Sequence, residues 1–128
     1  RHGVFIEEAI ENNIVFGNKL DGNGTGIHVW NEEVKKNTGP NVISANECNG
    51  NRRGTSVGGR AADKTANANF FFNNICRKNR LDGILAGNSS GNDNYFSQMV
   101  VGQNYEKEIS TTDGAAATFF STVSSKKP

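Results

Sequence analysis

Apolar and polar residues alternate with a period of two in short runs along this chain, and Asn and Gly separate the runs. Val4 and Ile6 lie two apart, as do Ile27 and Val29, Thr55 and Val57, and Ile84 and Ala86. Phe5 and Glu7, His28 and Trp30, Ser56 and Gly58, and Leu85 and Gly87 take the alternate positions. Such alternation between turn formers predicts short β-strands with one buried and one outward face. No segment sustains a 3.6-residue period, and Asn and Gly are poor helix formers, so no helices are expected.

The runs recur. The first kind begins at Gly3, Gly26, Gly54 and Gly83, with spacings of 23, 28 and 29 residues. The second kind begins at Asn13, Asn41, Asn69 and Asn94, with spacings of 28, 28 and 25. Strands this short cannot bury an apolar face within one unit. Stacking the units ~4.8 Å apart sets equivalent residues over one another and makes a continuous interior column. The aligned Asn13, Asn41, Asn69 and Asn94, and again Asn18, Asn46 and Asn74, would then stack as amide ladders, because Asn tolerates left-handed turns and can bond to its copy. Leu20, Cys48 and Cys76 share a repeat position, so both thiols read as small buried hydrophobes, not as a disulfide or metal ligands.

The pattern Gly-apolar-x-apolar followed by Asn-x-(Ile/Val/Phe), fullest at residues 11–18 and 21–27, resembles the right-handed parallel β-helix repeat of pectate-lyase-like, carbohydrate-active proteins. The resemblance implies an all-β, right-handed parallel β-helix of four to five coils over residues 1–109, with a cap or tail over 110–128. It also implies a polysaccharide ligand, lyase or epimerase chemistry, and an extracellular, cell-surface or periplasmic location. An uncapped first coil exposes strand edges. Upstream coils, a partner subunit or self-association are expected there, and the chain reads as part of a longer β-helix protein.

Composition narrows the function classes. The chain has 128 residues, of which 34% are hydrophobic, with 19 Asn, 15 Gly and a net charge of +1. That length suits one domain, no apolar run approaches the ~18 residues of a membrane span, and a nucleic-acid binder would carry a larger basic excess. Neither a membrane nor a nucleic-acid partner is expected, and no cofactor or metal. Charge is nonetheless uneven: residues 1–51 net −3, residues 52–80 net +6 and residues 81–128 net −2. The basic block (Arg52, Arg53, Arg60, Lys64, Arg77, Lys78, Arg80) lies within one coil and would attract a polyanionic sugar chain.

Candidate chemistry falls on outward positions and on loops that interrupt the repeat, since loops on a rigid scaffold carry function. Residues 31–40 and 59–68 form matched insertions, predicted to leave the coil at one edge and wall the face bearing His28 and Trp30. Trp30, with Glu7 one coil before it and Gly58 one coil after it, is the expected sugar platform, opening onto a flat shelf. Glu32, Lys35 and Lys64 join it as binding residues. His28 is a candidate general acid or base, as its reference pKa of ~6.5 suits. Arg60 is the candidate base that the lyase resemblance implies. Hydrolysis would instead need two carboxyl groups on opposite sides of a sugar bond, drawn from Glu7, Glu32, Glu33 and Asp63. A non-catalytic scaffold or adhesin that only presents loops is the rival from another class.

Overall fold

The structure, a computed structural model, describes residues 1–60, 64–87 and 94–112 in full and residues 119–121 as backbone. The first coil holds β1 (His2–Glu7) and β2 (Ile14–Phe16); the second holds β3 (Thr25–Asn31), β4 (Lys36–Asn37) and β5 (Val42–Ser44). The third holds β6 (Arg53–Gly59), β7 (Lys64–Thr65), β8 (Phe70–Phe72) and β9 (Ile75–Arg77). β10 (Asp82–Gly87), β11 (Tyr95–Ser97) and β12 (Val100–Gly102) follow, then β13 (Lys107–Thr111) and β14 (Phe119–Ser121). Every strand pairing is parallel, and the described residues contain no helix.

The strands stack as a parallel β-solenoid with three faces. Sheet A runs β1-β3-β6-β10-β13 and sheet B runs β2-β5-β8-β11-β14. Sheet C pairs β9 with β12 and extends through bridges from Ile75 to Glu47 and from Glu47 to Lys19. Both larger sheets continue past residue 109. Residues 61–63, 88–93, 113–118 and 122–128, which include Asp63 and most of the expected cap, lie outside the described residues.

Register follows the sequence pattern. Val4, Ile27, Thr55, Ile84 and Ile109 form one inner column, and Ile6, Val29, Val57 and Ala86 form the next. Sheet B contributes Val15, Ile43, Phe71 and Phe96; the last two rings stack with centroids 4.4 Å apart. Cys48 and Cys76 are buried and free, and the hydrogen bond to Cys76 together with burial pushes the Cys48 thiol up from its ordinary pKa. The aligned glycines have a steric cause: a Cβ on Gly26 would lie 2.7 Å from the Gly54 carbonyl oxygen and 2.8 Å from the Cys48 Cβ.

Asparagine ladders hold the corners. Asn13 Nδ2 donates to Asn41 Oδ1 at 3.0 Å, Asn41 to Asn69 at 3.0 Å and Asn69 to Asn94 at 3.1 Å. Asn18, Asn46 and Asn74 repeat this at 3.0 Å per step, and Asn74 then meets the Met99 thioether. A third ladder, which the sequence reading passed over, joins Asn23, Asn51, Asn79 and Asn104 through backbone N–H and side-chain donors. In every ladder the donor lies in the earlier coil and the acceptor in the later one. The spare Nδ2 hydrogen goes to a carbonyl, as from Asn46 to Val15 and from Asn74 to Ile43. Buried amides thus satisfy corner backbone groups that water cannot reach, and each such group left orphaned would cost ~1–3 kcal/mol.

Candidate functional site

Sheet A places two outward columns side by side: Phe5, His28, Ser56, Leu85 and Ser110, and next to them Glu7, Trp30, Gly58 and Gly87. His28 is the centre of an aromatic stack. The His2 ring lies 4.7 Å away at 12° and the Trp30 ring 5.2 Å away at 22°, with Phe5 tilted at 5.1 Å. Burial in this stack, aided by repulsion from His2 and Arg53, lowers the His28 pKa to about 3. The imidazole is therefore neutral at neutral pH, and its Nδ1 is buried without a hydrogen-bond partner.

Trp30 is half-buried, and its indole N–H donates to Glu32 Oε1 at 3.2 Å. The other Glu32 oxygen lies 3.5 Å from Arg60 Nη1. One carboxylate thus fixes the edge of the indole and holds the guanidinium. Glu7 stands beside Trp30 in the preceding coil; desolvation, then Glu8 and Glu32, raise its pKa above the ordinary carboxylate value.

Where the two insertions are described, they stack on one another as a wall. β4 and β7 pair in parallel, setting Lys36 over Lys64 and Asn37 over Thr65. Asn37 Oδ1 accepts from the Asn67 N–H at 2.7 Å and the Thr65 hydroxyl at 2.9 Å. Lys36 pairs with Glu33, and exposed Lys35 sits at a φ of 58°. The wall therefore mixes cations with Glu32 and Glu33 and is not a uniformly basic surface.

The flat shelf expected beyond Trp30 is not open. Gly58 and Gly87 are both buried, so the missing side chains leave covered backbone instead of a floor. The opening lies on the other side of the indole, across His28: a recess of about 280 Å³ bordered by His2, His28, Trp30, Arg52, Arg53 and Leu85. Arg53 Nε is tied to Asp82 Oδ2 at 3.1 Å, whereas exposed Arg52 takes part in none of the ion pairs among the described residues.

Of the residues nominated from sequence, Glu7, Trp30, Glu32 and Arg60 come together, His28 lies beside them, and Lys35 and Lys64 stand on the wall. Only Trp30 and His28 border the recess. Arg52, Arg53, His2 and Leu85 were missed as site residues. Their signal was present: Leu85 shares the outward column of His28, and Arg53 aligns with Thr25 at the start of the strand. In comparison with known proteins, no family model, no curated protein and no solved structure matches this chain.

Proposed function

We propose that the outer face of sheet A binds an acidic polysaccharide outside the cell, with the recess at Trp30 and His28 taking one carboxylated sugar ring. The observation that supports this above others is the pairing of a fixed indole with Arg52 and Arg53 around one concavity. An aromatic wall receives the apolar face of a pyranose, and guanidinium groups receive its carboxylate. The wider basic block adds long-range attraction for a polyanion.

Binding is favoured over catalysis. A neutral His28 with a pKa of about 3 cannot donate a proton at neutral pH. Arg60 is engaged by Glu32, and a guanidinium is a poor base. Lyase or epimerase chemistry of the pectate-lyase-like kind is the enzymatic form of this proposal, and glycoside hydrolysis through Glu7 and Glu32 ranks after it. The scaffold or adhesin reading has its own support in sheet B, whose outward Ile14 is 74% exposed and Phe16 68%.

Trp30 is the single tryptophan, so its fluorescence reports on the recess directly. Titration with an oligogalacturonate is expected to change that emission, and calorimetry to show at least tenfold weaker binding for Trp30→Ala. Absorbance of an unsaturated uronate product would move the conclusion to lyase chemistry. Unchanged emission with every acidic and neutral glycan tested would leave the scaffold reading.

A further inference from the structure

The third asparagine ladder sets the corner between sheets C and A in register, and this fixes what stacks outside it. Arg80 N–H donates to the Asn51 carbonyl at 2.9 Å and Tyr105 N–H to the Asn79 carbonyl at 2.9 Å. Arg52, Arg80 and Tyr105 therefore follow one another up the corner, one coil rise of ~4.8 Å at a time. Lys78 and Gln103 form the neighbouring column on the other side of the inward asparagines. A concavity of about 520 Å³ opens here, lined by Lys78, Asn79, Arg80, Gln103 and Tyr105. Its volume falls within the range of small-molecule sites.

Three features set this corner apart. Tyr105 is 87% exposed, the most exposed of the large hydrophobic side chains described. Lys78 and Arg80 lie outside every ion pair found among the described residues, and none of the described residues lining the concavity is a carboxylate. On the same turn, Arg77 Nε is buried without a hydrogen-bond partner. An exposed phenol ring, two uncompensated cations and a side-chain amide make a surface for a ring that carries a strong oxyanion.

We propose that this corner is a second binding site, independent of the Trp30 recess, for a sugar-sized ring bearing a sulfate or phosphate ester. The ring lies against Tyr105, the ester oxygens meet Arg80 and Lys78, and the Gln103 amide serves a ring hydroxyl.

The test is titration of the 15N-labelled full chain with a hexose 6-sulfate, a hexose 6-phosphate, inorganic sulfate and the unsubstituted hexose. Either ester is expected to shift the amides of Lys78, Arg80, Gln103 and Tyr105 while the Trp30 indole N–H stays in place; the tighter of the two identifies the source. Arg80→Gln is expected to weaken ester binding at least tenfold. Tyr105→Ala is expected to weaken it about fivefold and to leave inorganic sulfate unchanged, and Lys78→Gln serves as a second variant should Arg80→Gln disturb the fold. Inorganic sulfate binding as tightly as the esters, or no shift at the corner amides, overturns the proposal. Because the recess is read at Trp30 and this site at Tyr105, either can fail without the other.

Discussion

The outer faces of sheets A and B share one skeleton and differ in what they carry. On sheet B one outward column repeats in kind: it runs Ile14, Val42, Phe70 and Tyr95, and the Phe70 and Tyr95 rings stack 5.0 Å apart at 9°. On sheet A the column through Trp30 changes from carboxylate to indole to glycine over its first three coils. Like side chains stacked along a solenoid support one another whether or not anything binds. A position that departs from its neighbours above and below gains little from stacking, so its identity answers to something else. Recurrence marks support, and departure from recurrence marks where a ligand site can be built.

Four substitutions break or sharpen that contrast. Phe71→Ala removes an inner ring and is expected to cost about 3–5 kcal/mol in urea unfolding. A loss below about 1 kcal/mol would mean that the inner and outer faces have been misassigned. Asn74→Ala strips the acceptor from both the N–H and the Nδ2 of Asn46 and a donor from the Ile43 carbonyl. Roughly 2–4 kcal/mol should go by the same measurement. His28 acts through pH. Its folded pKa of about 3 lies below the unfolded value of 6.5, so its contribution is fully present above pH 6.5 and is lost as pH falls toward 3. His28→Phe keeps a ring in the stack and should remove about 2–3 kcal/mol of that acid-side loss; an unaltered acid limb would show that the imidazole is not held neutral. Smallest of all, Phe70→Ser on the outer face of sheet B is expected to change stability by less than about 1 kcal/mol. It should leave Trp30-monitored glycan binding untouched.

The solenoid was legible in the sequence because its forces recur at fixed spacing. The aligned glycines, the alternating inner residues and two of the three ladders all appear as near-constant intervals. The third ladder kept the same intervals but sat among Asp21, Gly22 and Gly24, where asparagine already had a sufficient explanation as a turn residue. The site was less legible. Register placed Glu7, Trp30 and Gly58 together correctly, but whether glycine leaves an opening depends on how neighbouring side chains close over it. Spacing does not encode that. Arg52 and Arg53 were visible as charge, yet their place at the recess depends on which way the strand entry turns.

The common direction of the ladders has an electrical consequence. Hydrogen bonds between parallel strands point alternately up and down the axis and largely cancel. In the first two ladders the side-chain amides do not: each linking Oδ1 accepts from the earlier coil and each linking Nδ2 donates to the later one, so amide dipoles add along two parallel columns. These two columns are thus polarised along the axis, negative toward the first coil and positive toward the last. Glu108, which accepts from Asn104 Nδ2, puts a carboxylate on that later side, beyond the last asparagine of the third ladder.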